Sequence, residues 1–253
     1  MRLKRWSAKD GKPIKSSVGV RTIWGIGGNI NLSRWIQGNL GGPTTPVSDS
    51  FDMYSLVSGQ RRLSMGNALL TEVTFPACDA NRKEPGGVET TFVPDFIVDQ
   101  GVATVSKEAK YLVKKQKMWL CSNFRMSLGN LPCSRVSRIE PITVRGAASK
   151  GYIDADSVVG DVVFNVPVED SAPFEEAFTS ALLGVAKEAT LRLEYLDDDG
   201  NLLMALNTVV LITGFGPTDI FGGTAPNTVH AKVVKGNSLS TSPTTGDLEI
   251  IIK

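Results

Sequence analysis

The sequence offers few residues of the types that perform catalysis or bind metals. Its 253 residues include one histidine, His230, and three cysteines, Cys78, Cys121 and Cys133. A histidine is the usual base of a serine or cysteine nucleophile, and metal sites of the usual kind combine several histidine and cysteine ligands. His230 alternates with Val229, which places it on the polar face of a predicted strand. We therefore predict no catalytic, cofactor-binding or metal-binding residue in this chain.

Two groups of acidic residues have suitable chemistry but unsuitable spacing. Glu175 and Glu176 are adjacent on a predicted helix, so their side chains point apart and do not converge on one substrate as acid and base. Asp197, Asp198 and Asp199 lack the alternating ligand spacing and the terminal glutamate of a calcium loop. We interpret these three aspartates as a solvated turn.

The composition is that of a globular protein with a sizeable core. The chain is 42% hydrophobic and 21% charged, with a net charge of +1. A charge this close to zero argues against general nucleic-acid binding by the whole chain. No apolar run approaches the roughly 20 residues that span a bilayer, and no apolar signal segment follows the basic N-terminus. We therefore expect no membrane partner and assembly in the cytosol, and the odd cysteine count does not indicate a disulfide framework.

A long hairpin is predicted over residues 118–145, folded back at Gly129-Asn130. Glycine takes a positive φ without a steric cost, which suits a two-residue hairpin turn. The predicted pairs are Leu128 with Leu131, Met126 with Cys133, Phe124 with Arg135 and Leu120 with Ile139. In this register Cys121 and Cys133 lie on opposite faces, so we predict that they are not bonded to each other. Trp119 and Val136 are apolar exceptions on the predicted wet face.

Arginines mark the wet face of this hairpin, and they are the candidate site residues. A regular ribbon with an arginine-bearing face suits a wall or an interface better than a catalytic pocket, although solvated arginines on an ordinary sandwich would give the same pattern. The candidate interface residues are Arg125 and Arg138 here, with Arg192 and Glu194 on a second hairpin.

The second hairpin has the stronger local signal. Residues 189–196 and 201–213 alternate polar and apolar side chains around Asp199-Gly200, a dipeptide that favours a type I′ turn. This register sets Leu193 opposite Leu206 and Tyr195 opposite Met204. Further strands are predicted over the stretches 18–24, 51–57, 61–65, 68–77, 88–98, 158–168, 228–235 and 247–251.

One amphipathic helix is predicted from Ala172 to about Lys187. Ser171 can cap its N-terminus, and Pro173 sits in the first turn, where its missing N–H does no harm. Apolar residues recur at helical spacing and predict one stripe that faces a sheet: Phe174, Ala177, Phe178, Ala181, Leu182 and Val185. The fold class is therefore mainly β, an antiparallel β-sandwich or barrel with long hairpins and one flanking helix.

Two segments before the main β region are predicted to be irregular. Residues 1–16 form a basic N-terminal arm, and residues 17–253 form the β domain with an N-terminal extension and loop insertions. The stretch 25–42, rich in glycine and asparagine, is predicted to be loop, as is the Pro- and Thr-rich stretch 41–50. We interpret the start of the arm as a solvated terminus, with docking on a neighbouring subunit or on a polyanion as the alternative.

The order of elements resembles that of the tail-tube family of contractile phages and related injection systems. Three segments carry the likeness: a boundary strand at 131–145, a strand followed by a helix at 162–178, and a closing hairpin at 193–220. The segment 71–96 is compatible with it, whereas residues 1–67 have no counterpart in the likeness.

The resemblance implies a structural role without catalysis. It implies hexameric rings that stack into a hollow tube, with sheath or baseplate proteins as further partners. The resemblance makes Arg125, Arg138, Arg192 and Glu194 candidates for the lumen or for contacts between rings, and the arm and the 41–50 loop candidates for contacts with the next ring. Nucleic acid or an effector would pass through the lumen, and the location would be a virion or a cytoplasmic assembly. An unpaired sheet edge is an aggregation hazard unless another chain covers it, which agrees with ring closure. The alternatives are another virion or shell component (capsid, terminator or baseplate protein) and a β-sandwich module that binds carbohydrate.

Overall fold

The computed structural model describes residues 18–23, 36, 39, 49–54, 61–102, 119–146, 152–153, 157–217, 225–241 and 248–249. These residues form a mainly β fold, with antiparallel pairing throughout the described strands. The strands, numbered in chain order, are β1 (Val18–Ile23), β2 (Asp49–Tyr54), β3 (Arg61–Phe75), β4 (Cys78–Asp79), β5 (Gly87–Val93), β6 (Phe96–Val102), β7 (Phe124–Leu128), β8 (Arg138–Ile139), β9 (Ile142–Arg145), β10 (Val158–Val159), β11 (Val162–Val166), β12 (Ala189–Leu196), β13 (Leu202–Pro217), β14 (Asn227–Thr241) and β15 (Leu248–Glu249).

Two sheets contain all of these strands. The first follows the order β1-β5-β3-β9-β10, and the N-terminal half of β3 also pairs with β2 and β6. The second follows the order β4-β8-β11-β14-β13-β12-β7, with β15 added on β14. The sandwich or barrel class predicted from the sequence is confirmed.

Buried side chains from both sheets form one hydrophobic cluster. Val73 and Ile142 contribute from the first sheet, and Phe164, Leu193 and Leu206 contribute from the second. β9, β11 and β12 bury alternate residues, because successive side chains point to opposite faces of a sheet. Burying a side chain of this size stabilises the fold by about 1.5–3 kcal/mol.

The hairpin predicted over residues 118–145 is wrong beyond its turn. Leu128 and Leu131 do form a bridge across Gly129, whose φ is +51°. Beyond that bridge β7 pairs with β12, and residues 133–136 form a turn closed by the Val136 N–H and the Cys133 carbonyl oxygen at 3.2 Å. The predicted pairings of Met126, Phe124 and Leu120 with residues 133, 135 and 139 are therefore absent.

The partners of the remaining residues explain this correction. Ile139 lies opposite Phe164 and Cys78, and Leu120 bridges to Pro85. Trp119 and Val136, predicted on the wet face, are buried. The alternation of polar and apolar residues correctly indicated a half-buried segment, but it did not indicate which strand would pair with it.

The second hairpin is confirmed with its register. β12 pairs with β13, and Leu193 lies opposite Leu206 and Tyr195 opposite Met204. The predicted type I′ turn is wrong, because Gly200 has a φ of +81° but Asp199 does not share its positive φ. The Gly200 N–H instead donates to the Asp197 carbonyl oxygen at 3.0 Å, and the register shifts between Tyr195 and Leu196, beside the turn. The Asp197 carboxylate accepts the N–H groups of Asp199 and Asn201 at 2.9 and 2.8 Å, so it organises the turn.

The helix is shorter than predicted. It is α1, Ala172–Leu182, and it ends because Gly184 adopts a φ of +78°. The Gly184 N–H donates to the Ala181 carbonyl and the Val185 N–H to that of Ser180, the two bonds of a Schellman motif. Phe174 is buried and contacts Phe164 edge to face, as the predicted stripe requires.

Two further predictions for this helix are wrong. Ser171 does not cap α1 with its side chain, because its hydroxyl donates to the Val168 carbonyl oxygen at 2.7 Å. Leu182 and Val185, predicted on the buried stripe, are 71% and 62% exposed because the helix ends before the stripe is complete.

Several strand boundaries also differ from the prediction. The two strands predicted between 61 and 77 are one continuous strand, β3, with Asn67 at a φ of +49° inside it. The single strand predicted over 158–168 is divided between the two sheets, as β10 and β11. The stretch predicted over 88–98 is likewise two strands, β5 and β6.

Part of the predicted N-terminal loop is helical. Ile36 and Asn39, inside the stretch 25–42, have helical backbone and are buried. An apolar Ile36 within a glycine-rich sequence was the local sign of this packing. The basic arm at 1–16 and nearly all of the loop at 41–50 lie outside the described residues.

Candidate functional site

Three of the four candidate residues meet on the outward face of the second sheet. Antiparallel pairing of β7 with β12 sets Arg125 opposite Glu194 and Ser127 opposite Arg192. The Arg125 Nη1 lies 3.2 Å from one oxygen of Glu194, and the Arg192 Nε lies 2.8 Å from the other. One carboxylate is thus held between two guanidinium groups, which we call the arginine–glutamate cluster.

The cluster carries one excess positive charge and is open on the side of β7. The side chain of Glu194 is 15% exposed, whereas that of Arg125 is 68% exposed. Arg192 also donates to the Asn207 side-chain oxygen at 3.1 Å, which ties it to β13. Exposed ion pairs contribute only about 0.2–1 kcal/mol each, so the cluster orients its side chains more than it stabilises the fold.

Arg138 does not belong to this cluster. It lies on β8, near the opposite end of the same sheet, and its Nε contacts Glu140 at 2.9 Å. Both side chains are about half exposed, at 48% and 44%. The structure therefore separates Arg138 from the other three candidates, because β7 and β8 do not pair.

The backbone of β7 has one side turned away from the rest of its sheet. The Leu196 N–H donates to the Asn123 carbonyl, and the Gly129 N–H donates to the Thr190 carbonyl, both at 2.9 Å. In an antiparallel ladder residues alternate between bonding inward and outward. Arg125 and Ser127 therefore bond to β12, whereas the N–H and C=O groups of Phe124 and Met126 point to the other edge of β7, where no described strand pairs with them.

A second surface was missed by the sequence analysis. Leu182, Leu183 and Val185 are 71%, 75% and 62% exposed, and they follow one another at the end of α1. We call this the apolar corner. It precedes Ala189, the first residue of β12, whose Cβ lies 3.6 Å from the position of a Cβ built at Gly129. The C-terminal end of β7 is therefore next to the start of β12, four residues after Val185.

One ion pair at the base of α1 was also missed. Arg135 donates to both oxygens of Asp170, from Nε at 2.8 Å and from Nη2 at 2.7 Å. These hydrogen bonds hold the pKa of the Asp170 carboxyl below its ordinary value. The sequence placed the two residues 35 positions apart, so no local pattern indicated this contact.

The remaining chemistry-bearing residues are not assembled into a reactive site within the described ranges. All three cysteines are free thiols, and burial is the main cause that raises the pKa of each, that of Cys133 to about 11. His230 is exposed on β14, as predicted. No group of three histidine, cysteine or acidic residues there is arranged to hold a metal. No helix among the described residues combines the length and the hydropathy that a bilayer crossing requires.

No protein-family model and no curated protein matches this chain. The features that bear on function are therefore the outer edge of β7, the arginine–glutamate cluster beside it and the apolar corner.

Proposed function

We propose that this protein is a structural subunit that joins copies of itself through sheet margins, into hexameric rings that stack as a hollow tube. The observation that carries the proposal is the outer edge of β7, an end strand of the described sheet on which the N–H and C=O groups of Phe124 and Met126 point outward. Unpaired strand margins recruit further strands, and proteins use or protect them accordingly. A head-to-tail contact between copies generates a ring when the rotation closes and a filament when it does not.

Three features support a structural role over a catalytic one. Acid–base catalysis requires converging groups, and six of the described charged side chains instead form ion pairs. Arg125 with Glu194 and Arg145 with Glu72 pair between strands, and Arg135 pairs with Asp170 at the start of α1. The thiols are protonated at neutral pH because their pKa values are raised. The apolar corner is of the kind that marks protein contacts.

In this proposal the outward arginines face either the lumen or the next ring. Arg125, Arg192 and Glu194 lie beside the joining margin, so a copy added at β7 would extend their face of the sheet. Arg138 would lie on the same sheet near its other end. Sheath or baseplate proteins would then contact surfaces that the ring leaves open, and nucleic acid or an effector would use the lumen.

Light scattering coupled to size-exclusion chromatography tests the proposal over a wide concentration range, with negative-stain electron microscopy of the largest species. We expect ring-sized particles with six-fold symmetry and stacks of rings at high concentration. A monodisperse monomer at every concentration would contradict the proposal.

The same micrographs separate the alternative structural roles. A capsid component would form closed shells, and a terminator or baseplate protein would form single rings that do not stack. Carbohydrate-binding modules usually group exposed aromatic side chains on one surface; Trp119, the one tryptophan among the described residues, is 2% exposed, and clear hits on a glycan array would favour that alternative.

A further inference from the structure

Four described strands of five or more residues have one described neighbour each: β1, β2, β6 and β7. The pairings of β2 and β6 with β3 both contain register shifts. Such irregularities bend a margin and weaken it as a template for another strand. β1 and β7 pair with their neighbours without a shift, so they are the two regular margins of the described fold.

These two margins lie in different sheets. β1 is one end of the first sheet, and β7 is one end of the second. Their lengths match, with six residues in β1 and five in β7. Neither strand contains proline, which would remove a donor from a ladder. A contact between β1 of one copy and β7 of another is head-to-tail, because the two copies contribute different strands, and the remaining β1 and β7 edges, which no described strand covers, can join further copies.

We infer that β7 of one copy pairs with β1 of a second copy, which joins the second sheet of one molecule to the first sheet of its neighbour. The pairing uses the outward N–H and C=O groups of Phe124 and Met126. This inference rests on the proposed function and adds to it the two strands, and the backbone groups, that make the contact.

The side chains of β7 suit an added strand. Met126 is already buried, so the new strand would extend an existing core face as far as Leu128, whose carbonyl oxygen already accepts the Leu131 N–H. Arg125 and Ser127 are exposed on the other face. On β1 the register sets Val18 and Val20 opposite the buried Phe92 and Thr90, whereas Arg21 is opposite the exposed Glu89. Like charges directly opposite one another are unfavourable, so we expect a register that does not set Arg21 opposite Arg125.

Chemical cross-linking between two variants tests the strand pair. One variant carries Arg21→Cys and the other Ser127→Cys, and they are mixed before assembly and treated with a short bismaleimide that tolerates a shift of one residue pair. Neighbouring strands are about 4.8 Å apart, so we expect a link between positions 21 and 127, identified by mass spectrometry of the linked peptides. The control replaces Arg21→Cys with Arg145→Cys, an exposed position on β9, three strands from β1.

Hydrogen exchange on the unsubstituted protein provides a second measurement that needs no variant. The amides of Arg125 and Ser127 already bond to β12, so assembly should change them little. Those of Phe124 and Met126 should exchange many-fold more slowly in assembled particles than in dilute protein.

The outcomes separate this inference from the function on which it rests. Particles that assemble without slower exchange at Phe124 and Met126, or that link position 127 to position 145 or to a second position 127, overturn the strand pair alone. Failure of the unsubstituted protein to assemble overturns both the proposed function and the strand pair.

Discussion

At the scale of single residues, the three cysteines differ in how far they are shielded from solvent. Cys78 and Cys133 are buried, whereas Cys121 is half-buried and its thiol contacts the Glu84 carbonyl oxygen at 3.0 Å. Only the thiolate reacts with an alkylating agent, and burial disfavours the thiolate in each case. The folded protein should therefore hold its thiols in an unreactive state.

We predict that iodoacetamide at pH 8 modifies Cys121 first and slowly, and leaves Cys78 and Cys133 unmodified until the protein unfolds. Mass spectrometry of peptides from a time course measures the order of modification. The same reaction in concentrated urea is the control, in which all three should react at similar rates. Rapid modification of Cys78 in the folded protein would contradict its buried position.

The Arg135–Asp170 pair gives a pH-dependent contribution to stability. Its hydrogen bonds lower the folded-state pKa of Asp170, so its contribution is complete above the unfolded-state value of about 3.9 and is lost as the pH falls through the folded-state value. We predict that Asp170→Asn lowers the urea midpoint at pH 6 and that this difference disappears in strong acid. Arg135→Gln should produce the same pH dependence, and the double variant should add little to either single variant. Additive losses would mean that the two residues act separately.

At the scale of elements, one glycine allows the segment before β5 to lie against a buried tryptophan. A Cβ built at Gly86 would overlap the ring of Trp119. That ring contacts Tyr195 with 5.1 Å between ring centroids, and its Nε1 donates to the Asn123 carbonyl oxygen at 2.9 Å. The ring is therefore fixed on several sides and cannot move aside without loss of contacts.

We predict that Gly86→Ala lowers the free energy of unfolding by roughly 1–3 kcal/mol, the usual cost of overpacking a core. Gly216→Ala is the matched control, because a Cβ built there meets nothing within 4 Å. Urea unfolding followed by circular dichroism measures both. Equal stability of the two variants would show that the Trp119 ring has room to shift.

The end of α1 depends on a second glycine for a different reason. Gly184 has a positive φ, which alanine adopts only with strain, and a Cβ there would meet no neighbour. Gly184→Ala should therefore cost about 1 kcal/mol through the backbone alone. Gly160→Ala, where the nearest atom to a built Cβ is the Thr143 carbonyl oxygen at 3.4 Å, is the comparison. Thermal unfolding of both variants measures the difference, and a Gly184→Ala variant as stable as its comparison would contradict the Schellman end.

At the scale of the whole molecule, the shared hydrophobic cluster predicts that the two sheets unfold together. Ile142 belongs to the first sheet and Leu193 to the second, and each is 1% exposed. Replacing either with alanine should cost roughly 2–5 kcal/mol, because the lost contacts leave a cavity. Circular dichroism and fluorescence should report one shared unfolding transition in each variant, as expected for one domain over 17–253. If two transitions were observed and each variant shifted only one of them, the two sheets would belong to separate domains.

Assembly acts at the same scale and makes measured stability depend on concentration. A partner that binds only the folded state raises the apparent stability by mass action. These variants are therefore best compared in dilute protein, below the concentration at which particles appear. The same measurements at high protein concentration would then show how much of each variant's lost stability is restored by contacts between copies.

The sequence alone determined the fold class, the second hairpin and the presence of α1, because each depends on contacts between residues close in the chain. Asp199-Gly200 located the turn, and the alternation on either side of it predicted the pairing of Leu193 with Leu206 and of Tyr195 with Met204, but the type I′ geometry was wrong. Gly184 is the type of residue that ends a helix, but the apolar periodicity continues past it to Val185, and the predicted helix was therefore too long.

Only the tertiary structure decided which strand lies beside β7. The alternating pattern of Phe124–Leu128 predicts which side chains are buried. It does not predict the neighbouring strand, because any strand with one apolar face could pair with it. The sequence named Arg125 and Glu194 as candidates, yet their contact joins residues 69 positions apart and exists because β7 lies on β12. Pairing between distant strands depends on how the whole core closes, and for that reason local patterns did not determine it.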